Sequence, residues 1–171
     1  MNDRTNKCFR IGQKAVDSFS FLARERGYKV VTATKEQDIN EHWDLALLKA
    51  SIRSTHDIKA MKKIQRHDNA VQDKWIWIEL HSVRANNRGW LYDGLADFIT
   101  FEMKDRFLII PRLQLCNLVN MFVKKEQVYR PQDAKYKIYQ RKERCDQLTL
   151  IDAQDLQLIL FDEWKKYESQ T

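Results

Sequence analysis

The sequence predicts an α/β (α+β) fold, a central mixed β-sheet flanked by helices. Three observations predict it. Near the N-terminus, Ala15, Phe19, Leu22 and Ala23 recur at helical spacing. Strand-like runs rich in β-branched, aromatic and other apolar residues follow: YKVVTAT at 28–34, HWDLALL at 42–48 and WIWIELHSV at 75–83. Only four Gly and two Pro occur in 171 residues, which argues against a loop-dominated or disordered chain.

In chain order, residues 12–26 read as an amphipathic helix that Gly27 caps. Residues 28–34 read as a strand, and 34–41 as a polar connection. In the strand at 42–48, alternation places Trp43, Leu45 and Leu47 on one face and His42, Asp44 and Ala46 on the other. Residues 54–64 give a third strand, and 69–74 a polar break. Residues 75–83 are apolar on both faces at their start, which predicts an interior strand. Residues 84–89 (RANNRG) read as a loop. Residues 97–102 and 107–110 form a strand pair around Lys104 and Asp105. Pro111 opens a helix through 119 or 123. Residues 147–151 form a short strand. Residues 152–167 read as an amphipathic helix with Leu156, Ile159, Leu160 and Trp164 on its stripe.

A hydrophobic fraction of 43% suits one globular domain over residues 1–171, with a basic segment and helix at about 124–171. The net charge of +6 and pI near 9.2 fit a polyanion partner. No apolar run approaches the roughly 18 residues of a membrane span, so no membrane partner is expected. Residues 1–10 lack the apolar core of a secretory signal. Cys8, Cys116 and Cys145 lack C-x-x-C spacing and read as reduced thiols of a cytoplasmic or nucleoid-associated protein. Sequence signatures of nucleotide P-loops, Rossmann cofactor sites and serine-hydrolase elbows are absent.

The chemistry-bearing residues are Asp57 and Lys59, a D-x-K, with Asp44 upstream. Residues two apart on a strand share a face, so a carboxylate and an ammonium stand side by side. Asp44 and Asp57 could hold Mg²⁺ (or Mn²⁺) and leave positions open for water and phosphate, and the Ile58 carbonyl is a further candidate ligand. Lys59 would orient water or stabilise charge on a phosphoryl group. A solvated Asp57–Lys59 surface pair is the plainer alternative. Glu79 sits among Trp75, Ile76, Trp77, Ile78 and Leu80, where an unpaired carboxylate is costly. Its partner is either the metal, as a third acidic ligand, or a nearby Arg or Lys. His42 and His81 are ordinary hydrogen-bonded histidines or helpers in metal binding and proton transfer.

This constellation resembles the PD-(D/E)XK nuclease superfamily, with Asp44 at the first acidic position and Asp57 and Lys59 as the (D/E)-x-K. The residues Gly89 to Tyr92, Ala96 to Ile99 and Phe107 to Ile110 look like the later part of restriction-endonuclease-like members. The resemblance covers about residues 12–123. It implies a helix, a three-stranded antiparallel meander, a helix and a further strand, with Mg²⁺-dependent phosphodiester hydrolysis. Trp43 stands before Asp44 where the family pattern has Pro, and the strand carrying Glu79 is an addition to the core. A competing alignment puts Asp57 first and Glu79, Leu80 and His81 as the later motif, with His81 replacing the lysine.

Two basic segments are candidates for the polyanion contact. Lys62, Lys63 and Arg66 follow the motif. Between residues 124 and 144 there are eight Lys/Arg against three Asp/Glu, with Lys135, Lys137, Arg141 and Lys142 interleaved with Tyr129, Tyr136 and Tyr139. Trp75, Trp77 and Trp90 are expected in the core rather than stacked on bases. The expected function is a metal-dependent nuclease acting on nucleic acid, most simply DNA, and compatible with a homodimer. The alternative is a catalytically inactive nucleic-acid-binding or protein-interaction module on the same fold.

Overall fold

A computed structural model describes the backbone of residues 3–83 and 88–166, and the side chains of those from residue 10 onward. The helices are α1 (Asp3–Glu25), α2 (Lys35–Asn40), α3 (Gly89–Asp93) and α4 (Arg112–Phe122). The strands are β1 (Lys29–Thr32), β2 (Leu45–Lys49), β3 (Ile52–Lys59), β4 (Trp75–His81), β5 (Phe98–Glu102), β6 (Arg106–Pro111), β7 (Lys124–Val128), β8 (Lys137–Gln140), β9 (Gln147–Asp152) and β10 (Asp162–Lys165). They form two mixed sheets, so the chain is α+β. The first has the order β1-β2-β3-β5-β6-β10 and the second β4-β9-β8-β7.

In the first sheet, β1, β2 and β3 make an antiparallel meander. β5 then lies parallel to β3, and β6 and β10 continue antiparallel. Helix α1 covers one face because its stripe of Ala15, Phe19, Leu22 and Ala23 is fully buried against Leu45, Leu47, Ile58, Phe107, Ile109 and Trp164. It ends in a Schellman motif: Gly27 takes φ 79°, its N–H reaches the Arg24 carbonyl, and the Tyr28 N–H reaches the Ala23 carbonyl. The opposite face packs on the second sheet and α4. There Ala46, Ile99 and Phe101 share one core with Ile76, Ile78, Ile151, Leu115 and Leu118.

Several expectations are corrected. Residues 34–41 hold the short helix α2, started by a capping box between Thr34 and Gln37. The third strand spans Ile52–Lys59 and stops short of residue 64. Trp43 packs with Ala46 and not with Leu45 and Leu47; regular alternation starts only at Leu45, after His42 at φ 54°. β4 is not interior but an edge strand of the second sheet. Ile76 and Ile78 face the core, whereas Trp75 and Trp77 are half-buried on the outer face, which corrects their core assignment. Trp90 does lie in the core.

The expected helix at 152–167 is a 3-10 turn at Asp155–Ile159 followed by β10. Its apolar residues are buried on different sides. Leu156 joins the core between the sheets, and Trp164 stacks on Phe19 at 4.9 Å on the α1 side. One helical stripe cannot serve both cores. Pairing β10 with β6 serves both and covers the sheet edge. The loop expected at 84–89 lies mostly outside the described residues.

His56 on β3 is the polar exception in the α1-side core. It sits between Phe19 and Phe98, with ring nitrogens on Ser54 Oγ at 3.1 Å and Thr100 Oγ1 at 3.0 Å. Burial pushes its pKa down to about 4, partly opposed by the Asp97 charge. The native ring is therefore neutral between pH 4 and 6.5, while an unfolded chain takes up a proton. Stability is full above pH 6.5 and falls as pH drops toward 4. Urea unfolding should show a loss of about 3 kcal/mol across that window from this group. His56→Gln should flatten this part of the profile, and an unchanged slope would refute the assignment.

Candidate active site

The β2–β3 ladder builds the site. Leu45 pairs with His56, so continuing the register by one residue sets Asp44 opposite Asp57. Backbone bonds extend the ladder that far: the Asp44 N–H donates to the His56 carbonyl at 2.8 Å, and the Ala33 N–H to the Asp44 carbonyl at 2.8 Å. Asp44 Oδ2 accepts the Ile58 N–H at 2.6 Å. The two carboxylates thus lie side by side on the sheet face away from α1. Like charges directly across a ladder are destabilising.

Asp44 shows the strain. Burial pushes the Asp44 pKa up to about 7, and the Asp57 charge adds to it, against the Ile58 N–H and Lys59. Asp57 is 4% exposed, and its Oδ2 is buried without a hydrogen-bond partner. Lys59 Nζ lies 2.6 Å from that oxygen and is its charge partner. The Lys59 ammonium also sits 4.6 Å over the Trp90 ring. Asp57 and Lys59 are therefore neighbours on one strand face, as the spacing predicts.

Two carboxylates side by side, one of them buried, are a donor set that fits a divalent cation. Mg²⁺ is commonly held by one or two carboxylates with water and phosphate completing its shell. The Ile58 carbonyl points to the same side of β3 as its N–H, toward Asp44, by ordinary strand geometry. Among the described residues, no group of three or more His, Cys, Asp or Glu side chains converges in metal-holding geometry.

Glu79 lies on β4, on the outer face of the second sheet with Trp77. It abuts Gly89, where a Cβ would come within 3.0 Å of its Cγ and Oε1; Gly89 also takes φ 77°. Gly89 precedes Trp90, so Glu79 borders the segment that carries the Lys59 platform. His81 Nδ1 contacts the Ser82 carbonyl at 2.7 Å. His42 is half-buried in the left-handed region, two residues before Asp44.

A brace to this region escaped the sequence reading. Asp97 Oδ2 accepts the Thr55 N–H at 2.8 Å and the Thr55 hydroxyl at 2.9 Å, while the Asp97 N–H donates back to Thr55 Oγ1 at 3.0 Å. It locks the start of β5 to β3 two residues before Asp57. The alanine-aspartate start of a strand signals Asp97 in the sequence, but its partner is 42 residues away. The lysine's aromatic seat on Trp90 likewise has no local signature.

The basic residues divide. Lys62, Lys63 and Arg66 are exposed after β3, and Lys135 and Lys142 are exposed around β8. Lys137 pairs with Glu126 at 2.6 Å, and Arg141 is bound by the buried Asp146. These latter two cations are already engaged within the protein.

Asp44→Asn tests the carboxylate repulsion. The amide oxygen can still accept the Ile58 N–H, while the charge is gone. In chelator at pH 8, the thermal midpoint should rise, by about 2–4 °C for each kcal/mol of repulsion relieved. A lower midpoint would show that the pair is not strained. Comparison of the chain with protein-family models, with curated proteins and with solved structures finds no match in any of the three.

Proposed function

We propose that the protein is a Mg²⁺-dependent nuclease that hydrolyses phosphodiester bonds, with DNA as substrate. The observation that carries this reading is the pair Asp44–Asp57 on adjacent strands, with Asp57 buried and Lys59 2.6 Å from its Oδ2. The strand order supports it as well. The helix α1, the antiparallel β1-β2-β3 meander, the helix α3 and the strand β5 follow in the order that the PD-(D/E)XK resemblance implies, with β4 as an addition.

In this mechanism Asp44 and Asp57 would hold the cation, which supplies an acidified water and neutralises charge on the phosphoryl oxygens. Asp44 presents its carboxylate from the ladder, fixed by the Ile58 N–H. Lys59 is 22% exposed and reachable from solvent, and Trp90 and Asp57 hold its ammonium in place. From there it stabilises negative charge developing on the phosphate or orients the attacking water. Glu79 acts as a positioning residue through Gly89 and Trp90. Exposed Lys62, Lys63 and Arg66 attract the phosphate backbone beside the site.

A second reading is an inactive nucleic-acid-binding or protein-interaction module on the same fold. It is favoured by one observation, that no third acidic side chain converges with Asp44 and Asp57 among the described residues.

Cleavage of plasmid and oligonucleotide DNA in millimolar Mg²⁺ or Mn²⁺ separates the two. Asp57→Ala and Lys59→Ala should each lose at least about a hundredfold in rate with unchanged circular dichroism. Full activity in either variant overturns the mechanism, and wild type without metal binding or cleavage establishes the second reading. Because the Asp44 carboxyl titrates near 7, Mn²⁺ binding should release a proton below that pH, and affinity should rise as pH increases through it. Calorimetry in buffers of different ionisation heat measures both.

A further inference from the structure

The outer face of the second sheet carries a cationic aromatic surface around Trp75 and Trp77. Trp75 and Trp77 project from β4 opposite the buried Ile76 and Ile78, and both indoles are half-buried. Tyr139 of β8 lies 5.8 Å from Trp77. Lys135 Nζ sits 4.5 Å from the Trp75 ring centroid. Trp77 Nε1 donates to the Lys63 carbonyl at 3.0 Å, which pins the basic loop after β3 to this face. The two basic segments, far apart in sequence, therefore meet at these two tryptophans.

This surface also neighbours the candidate active site. A small cleft lined by Lys59, Met61, Lys62, Gln72, Trp75 and Trp77 lies between the two. Glu102 lies in the same cleft, but its charge is met by Lys166 at 2.9 Å and by the Met61 N–H at 3.3 Å. Its carboxylate does not stand unpaired against a phosphate. Asp152 pairs with Trp75 across the β4–β9 ladder and is a further acid of this face, and Glu79 is another. It lies two residues beyond Trp77 and packs toward Gly89 at the α3 end, away from the cleft at Trp75.

Building on the proposed nuclease reading, we infer that Trp75 and Trp77, with Tyr139, Lys63 and Lys135, form a stacking platform for unpaired nucleotides of DNA that lead into the Asp57–Lys59 site. Spacing carries the choice of single strand over duplex. Alternate residues on a strand are about 7 Å apart. Successive bases within a duplex strand rise about 3.4 Å and cover each other's faces. Neighbouring bases can each meet one indole only after they have unstacked and the strand has extended. Base–aromatic stacking is tolerant of sequence, and the flanking lysines supply the backbone contact. The substrate class is therefore DNA with an unpaired segment beside the scissile bond, such as a flap, splayed end or junction arm.

Binding without metal tests this independently of cleavage. The probes are a fluorescent oligo(dT) and a mixed-sequence duplex of equal length, in EDTA at fixed salt. Wild type should bind the single strand more tightly and show tryptophan quenching. Trp77→Ala should lose roughly tenfold or more for the single strand, with little change for duplex, and Trp77→Phe should keep most of the affinity. Lys63→Glu and Lys135→Glu, both at exposed positions, should weaken single-strand binding and flatten its salt dependence, which keeps the test open if Trp77→Ala fails to fold. Duplex preference in wild type, or unchanged single-strand affinity in folded Trp77→Ala or in both lysine variants, overturns the inference. A protein that stacks oligo(dT) without hydrolysing DNA removes the nuclease reading and keeps the platform. One that cleaves duplex while Trp77→Ala binds normally does the reverse.

Discussion

The register of β2 against β3 is the constraint on which the candidate site depends. Pairing Leu45 with His56 sends Leu45, Leu47, His56 and Ile58 toward α1 and leaves Asp44, Asp57 and Lys59 on the opposite face. A slip of one residue would exchange the faces, burying charges under α1 and moving apolar side chains out of that core. The packing of Phe19, Leu22 and Ala23 therefore fixes the position of the carboxylates. The Thr55–Asp97 brace and the β3–β5 parallel pairing hold the other side of β3.

Within that frame the fold maintains an unfavourable electrostatic arrangement. Two carboxylates share a partly desolvated face, one with its pKa near 7 and the other buried against Lys59. Lys59 offsets part of this, and its ammonium is held by Trp90 as well as by Asp57. Such perturbed groups cluster where chemistry or ligand binding needs them. A purely structural role would be served as well by a neutral pair at lower cost.

The second sheet adds a surface to this centre. It supplies Ile76, Ile78 and Ile151 to the shared core, so its inner face is committed to packing. Its outer face carries aromatics and cations beside the cleft that begins at Lys59. Through Gly89, Glu79 also touches the segment on which Lys59 rests. Gly89 takes φ 77° and a Cβ there would crowd Glu79 at 3.0 Å, which explains a glycine at that turn.

The sequence by itself determined the local elements whose burial follows one period. The α1 stripe, the β1–β3 meander, the β5–β6 pair and the Pro111-led α4 were legible because their apolar residues either recur at helical spacing or run together between polar breaks. The D-x-K pair was legible because strand geometry alone brings Asp57 and Lys59 together. Tertiary structure decided what depends on partners distant in sequence. The stretch with Leu156 and Trp164 reads as one helical stripe, yet those residues serve opposite cores, and the edge of β6 draws the second into β10. The apolar start of β4 does not reveal that a second sheet will leave Trp75 and Trp77 on an outer face. Asp97 and Trp90 find Thr55 and Lys59 only when β5 and α3 dock against strands formed more than 25 residues earlier. Such contacts are set by how elements pack, and no local periodicity encodes them.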